Sequence, residues 1–207
     1  MTFEVERRFF ADYKSGIEED SVVLDEFLAA CRAVNLRYDT AIYENRFIVG
    51  GVVEQLLGAS MRAVGCEIDN VAKTSRGVDL ASPKLDAGFS VKAQFKKGPE
   101  IRLVNTMGGS GSNAVWTHAT IFVIVGVGIG YADPDLIVTG LVARSDVLTL
   151  RSSALAELWA NQTKYLIQCD IPSKPVKSSQ SRVASDVVAQ DIMMDFKNLL
   201  IHYRPER

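Results

Sequence analysis

The sequence predicts an α/β chain with a mixed central β-sheet flanked by helices, and three observations carry that prediction. Helical apolar spacing is confined to the two ends of the chain, over about 18–64 and again from about 185. Short stretches separated by Pro and Gly turns fill the middle, one of them, FSVKAQF at Phe89 to Phe95, alternating strictly in polarity. The longest apolar run, Ala119 to Ala132, is rich in β-branched residues and shorter than the roughly 20 residues a membrane helix needs, so it reads as a buried strand. At 207 residues and 47% hydrophobic content the chain can bury a full core and is read as one domain over 1–207.

Taken in order, residues 18 to 34 read as an amphipathic helix with Val22, Val23, Phe27, Ala30 and Val34 on one side. A second helix is expected from Ile48 to Val64, its apolar face holding Val53, Leu56, Leu57, Met61 and Val64, with Glu54 close to the stripe and Gly65 placed to end it. Strands are expected near Glu67 to Val71, Gly77 to Leu80, Gly88 to Phe95 and Glu100 to Val104, then Thr120 to Val127 and Leu136 to Ala143. Turns fall at Ser82-Pro83, Lys97-Gly98-Pro99 and Asp133-Pro134-Asp135, where side-chain caps are the ordinary role of the aspartates. Lys174 to Ser185 reads as a loop, and a last helix, Ser185 to Leu200, has its apolar side interrupted by Asp195.

Bulk properties narrow the function classes. The N-terminus, MTFEVERRFF, lacks the basic-then-apolar pattern of a secretion signal, so a cytoplasmic location is expected and no membrane partner. Cys31, Cys66 and Cys169 fit neither a disulfide framework nor a zinc motif and are read as inert. A net charge of -2 argues against a non-specific nucleic-acid coat. The charge is unevenly spread, however: residues 1 to 26 carry eight acids against three bases, whereas Lys84, Lys92, Lys96, Lys97 and Arg102 face only Asp86 and Glu100 between Lys84 and Val104. A local basic patch of that kind is what a specific nucleic-acid enzyme requires.

Asp79 and Lys92 bracket the turn between two short apolar stretches. Alternation puts Ser90, Lys92 and Gln94 on one face of a strand and Phe89, Val91, Ala93 and Phe95 on the other. A carboxylate and an ammonium on adjacent strand ends suit metal-assisted chemistry at a phosphate. Asp79 is the natural metal ligand, Glu54 a second carboxylate from the preceding helix, Lys92 a point charge for the transition state, and Gln94 a group that orients water or phosphate. Lys96, Lys97 and Arg102 are candidate phosphate contacts, and Ser110, Ser112, Asn113 and Thr117 candidate contacts to base edges or phosphates. His118 and His202 are too few and too separated for a histidine metal centre, and Trp116 and Trp159 read as core residues.

The stretch RGVDLASPKLDAGFSVKAQF resembles the active-site hairpin of the PD-(D/E)xK nuclease superfamily, which includes the type II restriction endonucleases, with Asp79 at the first acid and Lys92 at the terminal lysine. VVEQLLGASMRAVG, holding Glu54, looks like the helix before that hairpin, and THATIFVIVGVG like the next core strand. The resemblance spans roughly residues 50 to 150, and a catalytic core is expected at about 48–150. It implies a restriction endonuclease-like core, Mg²⁺ as cofactor and hydrolysis of double-stranded DNA at a specific sequence, with a homodimer supplying two active sites. The departure is Ser90, where the family usually has Asp or Glu; a hydroxyl is a poor metal ligand beside a carboxylate, and Glu67, Asp69 or Asp86 are the substitutes nearby. A repair or recombination nuclease acting on structured DNA, and a non-cleaving DNA-binding or assembly domain, remain alternatives on the same scaffold.

Overall fold

The computed structural model describes residues 2–40, 42–71, 78–105, 115–137, 139–144, 147–172 and 183–205. Three helices lead the chain: α1 (Glu4–Glu19), α2 (Ser21–Arg37) and α3 (Tyr43–Ala63). The helix expected over 18 to 34 is therefore the second of two, broken at Asp20. That residue ends α1 through its N–H to the Gly16 carbonyl and starts α2 by accepting from the Val22 and Val23 N–H groups at 3.1 and 3.2 Å. The missed helix, α1, has its apolar stripe in Phe9, Phe10, Tyr13 and Ile17, all buried.

Strands β1 (Asp69–Asn70), β2 (Leu80–Ala81) and β3 (Gly88–Gln94) follow as an antiparallel meander, and β5 (Ala119–Ile124) pairs with β3 in parallel, Phe89 opposite Ala119 through Gln94 opposite Ile124. Parallel neighbours need a long crossover. Here it includes β4 (Glu100–Asn105), which leaves the main sheet to join β7 (Leu141–Ala143) and β8 (Val147–Arg151) in a three-stranded antiparallel sheet of order β4-β8-β7. The main sheet has six strands in the order β1-β2-β3-β5-β6-β9, with β6 (Gly128–Ala132) and β9 (Leu166–Gln168) antiparallel at its far side.

The mixed α/β sheet with flanking helices is as expected, with several differences in its elements. The run Thr120 to Val127 stops as a strand at Ile124 and turns through Gly126, φ +65°, into β6, a separate strand within the same apolar run. Among the described residues of the expected strand Leu136 to Ala143, Leu141–Ala143 is strand, and Asp133 caps the turn at Asp135 and Leu136. The C-terminal helix divides into α5 (Ser185–Met193) and α6 (Lys197–Ile201), with exposed Asp195 in the break. Helix α4 (Ser152–Asn161) was not expected, and most of the predicted loop Lys174 to Ser185 lies outside the described residues. Among the described residues no helix is long and apolar enough to cross a membrane.

Side chains of α1, β3 and β6 meet in an aromatic core in which Phe9 touches Phe89 and Phe10 touches Tyr131, each at 5.4 Å between ring centroids. Trp159 of α4 lies over Gly130, where any Cβ would come within 2.1 Å of the indole, and donates its Nε1–H to the Tyr131 carbonyl at 2.9 Å. The polar anchor of this region is Asp133, fully buried. It accepts from Arg7 Nε and Nη2 at 2.9 and 3.0 Å, from the Tyr131 hydroxyl at 2.8 Å, and from two backbone N–H groups. Every lone pair of that carboxylate is used, the condition under which a buried charge is tolerated.

Asp133→Ala is expected to lower the unfolding free energy by about 3 kcal/mol, and Arg7→Ala by less, since Arg7 is partly solvated; urea denaturation of the two variants checks the order. All three thiols are disfavoured as thiolates by burial, which pushes Cys66 and Cys169 up to about 11 and Cys31 higher. Native protein at about pH 8 should therefore react with a thiol-specific reagent only slowly and quickly in denaturant, as followed by absorbance.

Candidate active site and nucleic-acid cleft

The site grows out of β2 and β3. Burial of Phe89 and Val91 forces Ser90, Lys92 and Gln94 to the opposite face, as the alternation predicts. Asp79 immediately precedes β2; its N–H bonds the Phe89 carbonyl at 2.8 Å, which holds its side chain beside β3. There Asp79 Oδ2 accepts from the Val91 N–H at 2.7 Å and from the Ser90 hydroxyl at 3.1 Å. Lys92 Nζ donates to Ser90 Oγ at 2.8 Å and to the Val91 carbonyl at 3.1 Å, and stands 4.0 Å from Asp79 Oδ2. The two charged groups are 18% and 26% exposed, enough to meet a ligand and little enough for their interaction to be felt.

Ser90 is thus a connector. Its hydroxyl donates to Asp79 and accepts from Lys92, which orients both. The candidate substitutes for a second acid at this point are engaged elsewhere. Glu67 pairs with Lys84 at 2.5 Å, Asp69 pairs with Arg204 at 3.0 Å, and Asp86 lines a cavity with Glu6 and His118 on another part of the surface.

Lys92 opens onto a cleft between α3, β3 and the three-stranded sheet. Two adjoining cavities of about 550 and 500 Å³ make it up, sharing Arg46, Gly50, Lys92 and Arg102 in their walls. Glu54, one helical turn beyond Gly50 on α3, lines the first, so the structure brings Glu54 and Lys92 to one cavity. Gln94, Lys96 and Lys97 line the second, and Gln94 Nε2 donates to the Glu100 carbonyl at 3.3 Å. Asp79 lines neither cavity and reaches the cleft through Ser90 and Lys92. Thr117 does not join the set: it bonds His118 and borders the separate cavity at α1. Ser110, Ser112 and Asn113 lie outside the described residues.

Two cleft residues escaped the sequence reading. Arg46, whose Nε donates to the Thr40 carbonyl at 2.8 Å, precedes the expected helix start at Ile48, and Arg144 follows the strand at Leu141–Ala143. Arg144 makes a bidentate pair with Glu100 at 2.7 and 2.9 Å, and Thr149 donates to the same carboxylate at 2.7 Å. The signal available for Arg46 was its position one turn before Gly50 on the Glu54 face; nothing local pointed to Arg144, which arrives by strand pairing across β7 and β8.

Hydrogen bonds from Arg144 and then Thr149 hold the Glu100 carboxyl below the usual carboxylate range. A depressed folded-state pKa gives stability that is complete at neutral pH and is lost as pH falls through the folded value. The stability difference between wild type and Glu100→Gln should accordingly narrow on acidification past about pH 4, measured as thermal midpoints across a pH series.

Asp79 Oδ1 receives no hydrogen bond among the described residues, so it is the oxygen through which Asp79 could hold a hard divalent cation, which takes one or two carboxylates beside substrate oxygens and water; Glu54 lines the neighbouring cavity. Among the described residues no group of three or more His, Cys, Asp or Glu stands together as a ready metal cage. No family model matches this chain, and no curated protein or solved structure matches it.

Proposed function

We propose that this chain is a Mg²⁺-dependent deoxyribonuclease that hydrolyses DNA phosphodiester bonds in the cleft between α3 and β3. The observation that carries the reading is the Asp79–Ser90–Lys92 hydrogen-bonded chain, whose ammonium end shares a basic cavity with Glu54. An acid bonded through Ser90 to a strand lysine, with a second acid from the preceding helix lining the lysine's cavity, also agrees with the PD-(D/E)xK resemblance in the sequence.

Within that reading Arg46, Lys96, Lys97 and Arg102 grip the phosphates and fix the strand along the cleft. Lys92, held by Ser90 and the Val91 carbonyl, sets a positive charge where the phosphate gains negative charge and needs little reorganisation to act. Asp79, braced by the Val91 N–H, and Glu54 would hold the cation. When bound, Mg²⁺ would supply Lewis-acid stabilisation and a more acidic water. The restriction-type form of this activity, a homodimer cutting both strands of one specific sequence, is the finer proposal that the resemblance favours.

The test is incubation of the purified chain with mixed-sequence plasmid, with Mg²⁺ or Mn²⁺ and with chelator. Metal-dependent cleavage is expected, lost at least ~100-fold in Lys92→Ala with thermal stability near wild type, and lost likewise in Asp79→Ala. Cleavage by Lys92→Ala at the wild-type rate would sink the assignment, and DNA binding without turnover under any metal would transfer it to a non-cleaving binding domain.

A further inference from the structure

Asn70 of β1 is buried, two residues beyond fully buried Ile68, a place in the alternation where an apolar side chain is the ordinary occupant. Its amide is used at both ends. Oδ1 accepts from Arg62 Nη1 at 3.3 Å, and Nδ2 donates to the main-chain carbonyl of Glu54 at 3.0 Å. Arg62, itself buried, also donates to the Ile68 and His202 carbonyls at 2.8 and 2.6 Å, so it fixes which end of the amide is the acceptor and turns the donor toward α3. The helix makes room for this contact at Gly58, one turn beyond Glu54, where an added Cβ would come within 2.5 Å of Asn70 Oδ1. Glycine inside a helix is destabilising relative to alanine, and the close approach of Asn70 accounts for it here.

The same residue is tied to Asp79. Asn70 lies opposite Leu80 in the β1–β2 pairing, and the N–H of the next residue, Val71, donates to the Asp79 carbonyl at 3.0 Å, while the Asp79 N–H bonds the Phe89 carbonyl. Asn70 therefore joins the main chain that carries Glu54 to the main chain that carries Asp79. Apolar burial is non-directional, whereas a hydrogen bond to one particular carbonyl fixes where the helix sits along its axis against the sheet. A Mg²⁺ ion demands near-ideal geometry of its ligands, so that axial position matters to it. Resting on the reading of Glu54 and Asp79 as the ligands of a divalent cation, we infer that Asn70 is a positioning residue for that cation, setting the separation of the two carboxylates through the Glu54 carbonyl. It acts only through Glu54, because its own amide is spent on Arg62 and that carbonyl.

The experiment is Mn²⁺ binding to the full chain, followed by loss of the free-ion electron paramagnetic resonance signal, alone and with a short phosphorothioate duplex whose own uptake is subtracted. Asn70→Leu, an apolar side chain of similar shape, and Gly58→Ala, whose Cβ displaces the amide, should each weaken Mn²⁺ binding about tenfold, the low end for groups that orient metal ligands. In a Glu54→Gln background the same substitutions should cost nothing further, the non-additivity expected of residues that act as one unit. Where Asn70→Leu does not fold, Gly58→Ala decides, since alanine is the better helix former. Unchanged Mn²⁺ affinity in a folded variant, or an equal loss with and without Glu54, reduces the clamp to a structural contact and overturns the inference while the cation reading stands. A wild type that takes up no Mn²⁺ with or without DNA overturns the cation reading and the inference with it.

Discussion

Strand β3 is constrained on every side, and the candidate site is a by-product of that constraint. It pairs antiparallel with β2 and parallel with β5, and its inward residues Phe89 and Val91 lie in the core that α1 and β6 complete. A slip of one residue would turn Ser90, Lys92 and Gln94 inward and Phe89 and Val91 out, burying an ammonium and exposing a phenyl ring. The hydrophobic core thereby fixes which face Lys92 occupies. The same pairing delivers Asp79, because the bond from its N–H to Phe89 sets the carboxylate against the Val91 N–H. Few residues are devoted to the site alone; most of its geometry is inherited from sheet register.

The helices play the complementary part. Helix α3 must bury Val49, Val52, Val53, Leu56 and Leu57, which fixes its rotation and turns the face of Arg46, Gly50 and Glu54 toward β3. Helix α1 is bound to the far end of β6 by the Arg7–Asp133 pair and by Phe9 and Phe10. Its acidic residues lie away from the basic cleft, whose walls come from α3, β3, β4 and the segment after β7. The charge segregation visible along the sequence thus becomes segregation in space, a near-neutral chain with a basic groove.

What could be read from the sequence followed the range of the forces involved. Alternation in β3, the apolar strand β5, the α3 stripe and the grouping of Lys92, Lys96, Lys97 and Arg102 are set by neighbours close in sequence, and each was legible. Helix α1 was missed because its stripe is aromatic and interleaved with charges, and the break at Asp20 because an N-cap inside a periodic run looks like an exposed polar position. Arg144 and the separation of β4 into a second sheet depend on pairing between segments more than forty residues apart, as in the Arg144–Glu100 pair, which no local pattern carries. Thr117 was grouped with the site by composition, but its place next to His118 and α1 follows from where β5 begins.

Ser90 gives the site its particular character. A carboxylate at that position would stand near Asp79 Oδ2, where two like charges tolerate each other only with a cation between them. The hydroxyl removes that requirement, since it donates to Asp79 and accepts from Lys92, and the acid and the ammonium then compensate each other without a metal. The arrangement is preorganised before any cation arrives, at the expense of one ligand for it. A cation entering here would have to compete with Lys92 for Asp79 and recover its remaining coordination from Glu54, water and the bound phosphate. On the proposed reading, metal affinity would be coupled to the presence of DNA, because part of the coordination sphere would arrive with the substrate.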